Sequence, residues 1–278
     1  MYYLLAFLIA ALPALFWLLI YYHSDRREEP ENLIVKCFYT GALATLPLLL
    51  LQFVFNRFPQ YNFLELFRSS AQTHWKTVLV LMFAAVLEET IKLTVASHII
   101  NKYKKAHDEI TDGIIYFVVS ALGFAFIENV FYLSAYLGSY GLTPGFTGVF
   151  FVRSFGVMLG HTVFSGIFGY IYGLAYIKPY LTEIKTQASH HTKEVLRKIR
   201  FKHFSFHTLI HLLFNKPVPG GHDALELFIE SFILAILLHV IFNFSIGVGL
   251  FGANLTYLVV PTIFWFFTLL IRRLKLGK

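Results

Sequence analysis

The chain has 278 residues, of which 57% are hydrophobic and only 14% charged. Soluble domains carry about 25% charged residues, so this composition excludes an ordinary soluble domain and points to a polytopic membrane protein. The net charge of +7 is spread unevenly, which reads as membrane topology and not as a nucleic-acid-binding surface. Cys37 is the single cysteine, so neither an internal disulfide nor a thiolate metal site is available.

Hydropathy predicts an all-α protein with about seven spans. In chain order they are about Tyr2–Tyr22, Leu33–Phe55, Lys76–Ile100, Gly113–Leu137, Thr147–Ile177, Leu225–Leu250 and Asn254–Ile271. The first has no basic segment before it and is long for a signal sequence, so it is read as an uncleaved span. The second holds Pro47 and the last Pro261, both tolerable where neighbouring groups satisfy the freed carbonyl. The fifth exceeds a hydrocarbon core of about 30 Å and must tilt or project.

Charge sets the expected orientation. With the N-terminus outside, the inner segments hold Arg26, Arg27, Lys102, Lys104, Lys105, a basic run from Lys178 to Lys216, and Arg272, Arg273, Lys275 and Lys278. The outer side holds Arg57, Arg68 and Lys76. The asymmetry favours N-out, C-in. A single transmembrane domain over 1–278 is expected, with 178–223 as a basic cytoplasmic or interfacial insertion. Within it, His190–Phe214 mixes lysine and arginine with Val195, Leu196, Ile199, Phe204, Leu209 and Leu213. That pattern suits an amphipathic helix on an anionic cytoplasmic leaflet. His203, His207 and His211 share one helical face there, a weak metal signal at an interface.

The chemistry lies in polar residues deep inside the apolar runs. Glu88, Glu89 and Lys92 occupy the third span, Glu128 the fourth, His161 the fifth, and His239 with Asn243 the sixth. A charge near the bilayer centre costs roughly 2.5–3.5 kcal/mol or more, so a convergent set marks a buried polar site. Lys92 lies i,i+4 from Glu88 and i,i+3 from Glu89, within reach of both carboxylates. Ser165 lies one turn from His161. Three ionised glutamates and one lysine leave an excess of negative charge, which calls for a protonated group or a metal ion.

At these residues the chain resembles the PrsW family of intramembrane proteases. Glu88-Glu89-Thr90-Ile91-Lys92 matches EExxK, and Phe124 with Glu128 matches FxxxE. His161-Thr162-Val163-Phe164-Ser165 and His239-Val240-Ile241-Phe242-Asn243 match the two histidine motifs. The stretch from Asp25 to Glu31 also looks like the family, so the match runs from about Asp25 to Asn243. The resemblance implies a peptidase related to the CPBP group, which includes CAAX prenyl endopeptidases and abortive-infection proteins. In the CPBP pattern the second motif ends in His, where this chain has Glu128. It further implies a bacterial inner-membrane location and a membrane-tethered substrate of the anti-sigma-factor type.

The expected activity is hydrolysis of a peptide bond at or within the bilayer. Glu88 is the expected general base, with Glu89 and Lys92 setting its charge state, and the two glutamates could exchange roles. His161, His239 and Asn243 are expected to serve the oxyanion, the leaving amine or the water, and Glu128 to orient a histidine or move a proton. Either no cofactor is needed, or zinc is held by His161, His239 and Glu88, an open two-histidine, one-carboxylate set. The rival class is a proton-coupled transporter, because midplane carboxylates and histidines also form proton relays.

Overall fold

The computed structural model describes residues 2–24, 29–62, 74–106, 109, 111–173 and 224–247. The expected span Asn254–Ile271, the basic insertion 178–223 with His203, His207 and His211, and the charged stretch 25–28 lie outside the described residues. Everything regular among the described residues is helical, with no strand.

Eight α-helices follow in order among the described residues. They are α1 (Tyr2–Ser24), α2 (Glu31–Ala44), α3 (Leu46–Arg57), α4 (His74–Lys102), α5 (Thr111–Tyr140), α6 (Pro144–Phe151), α7 (Met158–Tyr172) and α8 (Ala224–Gly247). The expected second span is divided at Thr45, with Pro47 in the first turn of α3, where its missing N–H costs no helical bond. The expected fifth span is α6 and α7 joined by a π-helical segment, Val152–Val157. Among the described residues five stretches are long and apolar enough to cross a membrane: Tyr2–His23, Glu31–Arg57, Thr111–Tyr140, Pro144–Tyr172 and Ile229–Ile246. Helix α4 also has the length, at 29 residues, or roughly 40 Å. It differs in carrying Glu88, Glu89 and Lys92 at its middle.

Helix α5 is the hub. It packs on α1, α2, α4 and α7, while α8 closes the bundle against α7 and α4. The peripheral helices are two-faced. In α1, Ala6, Ala10, Ala14, Trp17 and Tyr21 are buried, while Leu4, Leu8, Leu12, Leu15 and Leu19 are exposed. In α8, Ala235, Ile236, His239 and Val240 turn inward, and Ile229, Ile233, Leu237 and Ile241 turn outward. An outward stripe this apolar is what a lipid-facing helix requires.

Burying apolar surface does not by itself drive helices together in lipid, so close packing and polar contacts must do so. Two reciprocal glycine contacts set the core of the bundle. A Cβ on Gly41 of α2 would sit 2.0 Å from the Ser120 carbonyl oxygen of α5, and one on Gly123 of α5 would sit 2.0 Å from the Phe38 oxygen of α2. Gly113 of α5 and Gly169 of α7 stand in the same relation: a Cβ on either would sit 2.5 Å from the other's carbonyl oxygen. Polar contacts add direction. Trp17 Nε1 donates to the Ser154 carbonyl at 3.0 Å, serving a carbonyl of the π-helical segment, and Tyr21 pairs with Thr162 at 2.9 Å.

Gly123→Ala is therefore expected to lower the thermal midpoint of the detergent-solubilised protein, at a cost of about 1–3 kcal/mol or more from overpacking. Gly148→Ala, where a Cβ meets nothing within 4 Å, is expected to leave it unchanged.

Candidate active site

The polar residues of four helices meet at one place. Glu88 lies at the midpoint of α4, and Glu89 and Lys92 follow on the same helix. Glu128 comes from α5, His161 from α7 and His239 from α8. Their meeting depends on small and aromatic neighbours. Gly160, just before His161, leaves room for the Phe242 ring of α8, whose edge lies 3.2 Å from where a Cβ would be. The Phe164 ring stacks on His239 at 5.3 Å between centroids. Phe124 covers the Lys92 ammonium at 4.7 Å and lies beside His161, which gives the phenylalanine of FxxxE a physical task.

Glu89 is fully engaged on one side. Its Oε1 accepts from Lys92 Nζ at 2.7 Å and from His239 Nδ1 at 2.8 Å. Lys92 also donates to His161 Nδ1 at 2.6 Å and lies 3.8 Å from Glu88 Oε2. His161 Nε2 is 3.0 Å from Glu128 Oε2. These partners fix both imidazole tautomers. A carboxylate can only accept, so the protons sit on His239 Nδ1 and His161 Nε2. His161 Nδ1, which accepts from Lys92, therefore presents its lone pair to the centre of the site, and His239 Nε2 is the nitrogen turned toward Glu88 Oε2.

Glu88 differs from Glu89. Its Oε2 is buried, makes no hydrogen bond, and lies 3.7 Å from His239 Nε2. One donor atom from each of Glu88, His161 and His239 can be chosen so that all lie within 4.8 Å of one another. That spacing, with two imidazoles and one carboxylate, fits an open catalytic zinc set. Each imidazole also has its other N–H held by a carboxylate, as metal-bound histidines require. A water-sized cavity adjoins the cluster, lined by Glu89, Leu93, Phe117, Ser165, Phe168, Phe232 and Ala235. Ser165 Oγ, buried on that wall, makes no protein hydrogen bond, so a water there would have both a hydroxyl and a carboxylate as partners.

The structure thus brings Glu88, Glu89, Lys92, Glu128, His161 and His239 together. Asn243, one turn beyond His239, is half-buried and makes no hydrogen bond to any of them. One residue was missed by the sequence reasoning. Arg153, in the π-helical segment, places Nη2 3.0 Å from Glu128 Oε2. Its Nε donates to Asn129 Oδ1 at 2.7 Å, Asn129 Nδ2 donates back to the Arg153 carbonyl at 3.2 Å, and the guanidinium lies 4.0 Å over the Tyr132 ring. The available signal was electrostatic. Three glutamates with one lysine left a deficit of positive charge, and Arg153 is the cation inside an apolar run that reduces it.

Arg153→Met is expected to destabilise the protein by about 3–5 kcal/mol, because it strands Glu128 in the interior. Adding Glu128→Gln should restore much of that loss. Thermal midpoints of the single and double variants in detergent check both.

A family model described as PrsW family intramembrane metalloprotease matches residues 29–226. The chain is 32% identical over 163 residues to Protease PrsW of Oceanobacillus iheyensis, covering 59% of this chain and 66% of that protein. It is 30% identical over 125 residues to Protease PrsW of Bacillus subtilis, covering 44% of this chain and 50% of that protein. For Protease PrsW of Geobacillus kaustophilus the identity is 28% over 164 residues, covering 59% and 63%. The matches thus span from half to just under two thirds of these relatives' lengths, and no solved structure matches the chain. The matched region carries the two glutamates of α4, Glu128 and His161, and over this extent the chain belongs to the PrsW family of intramembrane metalloproteases.

Proposed function

We propose that this protein is an intramembrane endopeptidase that hydrolyses a peptide bond of a membrane-tethered protein, with Glu88 as the carboxylate that engages the reacting water. The observation that carries this reading is Glu88 Oε2, which makes no hydrogen bond and lies 3.7 Å from His239 Nε2 and 3.8 Å from Lys92 Nζ, inside a bundle with apolar outer faces. Hydrolysis needs a group to take a proton from water as its oxygen attacks the carbonyl carbon. It also needs a group to return a proton to the amine as the C–N bond breaks. Glu88 suits both tasks. Glu89 is held by Lys92 and His239, so it orients rather than reacts. Glu128, braced by Arg153, fixes the His161 ring. With both imidazole N–H groups directed at carboxylates, charge on the developing oxyanion falls to Lys92. In a water-poor interior such contacts act more strongly than in solution.

Two versions of this chemistry each have an observation in their favour. The donor set and the family description favour a metal-dependent version, with Glu88, His161 and His239 as ligands, the imidazoles through the nitrogens that Glu128 and Glu89 do not hold. Zinc bound there would lower the pKa of a bound water and polarise the scissile carbonyl. The Lys92 ammonium on His161 Nδ1 favours the version in which Glu88 acts as general base without metal.

The wider setting belongs to the same proposal. It comprises about seven spans with N-out, C-in topology, a bacterial inner membrane, and the 178–223 insertion on an anionic cytoplasmic leaflet. The substrate is a tethered protein of the anti-sigma-factor type, as the resemblance of the motifs implies.

A panel of single-span tagged membrane proteins, incubated with purified protein, tests the reading. Glu88→Gln is expected to lose cleavage by about 10²–10⁴-fold with its thermal midpoint kept. Glu89→Gln is expected to lose about 10–100-fold. Full activity in Glu88→Gln would sink the assignment. Loss of cleavage on chelation, restored by zinc, selects the metal version. If nothing on the panel is cut while Glu88-dependent proton flux appears in liposomes, the transporter reading replaces the protease.

A further inference from the structure

The Lys92 ammonium contacts two of the three residues of the candidate metal set. It is 1% exposed and lies 2.6 Å from His161 Nδ1, 2.7 Å from Glu89 Oε1 and 3.8 Å from Glu88 Oε2. His161 and Glu88 both belong to the candidate metal set, and Nδ1 is the His161 nitrogen that Glu128 does not hold. His161 Nδ1 has one lone pair, which can serve the ammonium or a metal but not both. Two cations at this separation in a low-dielectric interior also repel strongly. We infer that Lys92 is a resident cation of the metal-free site, which competes with a divalent metal ion for His161 and Glu88 and must leave His161 Nδ1 for the metal to bind.

This inference rests on the metal-dependent reading and adds a control to it. Without a counter-cation, Glu88 and Glu89 would face each other and Glu128 in an apolar bundle, an expensive arrangement. Lys92 holds the metal-free cluster together at the expense of metal affinity. Its link to Glu89 comes from the same helix at i,i+3, so the amine can give up His161 and still keep a carboxylate partner. Phe124, over the ammonium at 4.7 Å, limits how far it moves.

The test is Co²⁺ titration of the purified, chelator-treated protein in detergent, read by calorimetry and by the visible ligand-field bands of the ion. Wild type is expected to bind one Co²⁺ per chain. Lys92→Gln removes the charge and is expected to bind about tenfold tighter or more. Lys92→Arg keeps the charge and is expected to bind no tighter than wild type. Equal or weaker binding by Lys92→Gln, with wild type still binding, would overturn the competition and leave the metal reading standing. Absence of Co²⁺ binding in wild type and Lys92→Gln alike would overturn the metal reading, and the inference with it. If Lys92→Gln folds only with metal supplied and unfolds on chelation, the inference is supported, since the metal then replaces the lost cation. If it folds in neither condition, Lys92→Arg decides: tighter binding than wild type overturns the inference, and equal or weaker binding supports it.

Discussion

A single carboxylate oxygen, Glu89 Oε1, receives both the Lys92 ammonium and the His239 imidazole, and the rest of the site follows from that junction. It ties α4 to α8 at a depth where an isolated charge would be costly. It fixes the His239 tautomer and so turns Nε2 toward Glu88. It also anchors Lys92 within reach of His161 on α7, whose other nitrogen is held by Glu128 of α5. Four helices are thus joined through one chain of charge-assisted contacts, which are shorter and stronger than neutral hydrogen bonds.

That chain needs a scaffold that holds its members to within a fraction of an ångström, and small residues supply it. At the Gly41–Ser120 and Gly123–Phe38 contacts the α2 and α5 backbones nearly touch, and Gly113 with Gly169 does the same for α5 and α7. Such approaches leave no space for helices to slide. The π-helical segment before α7 adds a further constraint. Wide turns of this kind are frequent at functional sites, and here the segment carries Arg153 beside Glu128 and Asn129 while Trp17 satisfies one of its carbonyls.

Most of the site was legible in the sequence because a bilayer penalises charge so heavily that Glu88, Glu89, Lys92, Glu128, His161 and His239 stand out from their apolar surroundings. Helical spacing also anticipated the Glu89–Lys92 pair. Other features required three dimensions. Arg153 stands among aromatic residues in the first part of the fifth span, and its partner is evident only once Glu128 is placed beside it. The separation of Glu88 from Glu89 depends on which side of α4 meets α8, which no spacing rule on α4 alone can decide. Asn243 shares a helical face with His239 in projection, yet it lies one turn further along α8 and makes no bond to the cluster. The division of the second span at Thr45 was hinted at by Pro47, but a proline in an apolar run is also compatible with an unbroken helix.

The Glu89–Lys92 pair has a consequence for how the chain is assembled. Helix α4 carries its own counter-ion, so when it enters the bilayer, its two signs can already be neutralised in part, before α7 or α8 has been synthesised. Helix α5 has no such provision. Its Glu128 waits for Arg153, which arrives only with the next hydrophobic segment. The short connection between them, Gly141 to Thr143, makes a hairpin of the two. Biogenesis is thereby divided into a helix that can be released early and a hairpin best released as a unit, and His239 completes the cluster last.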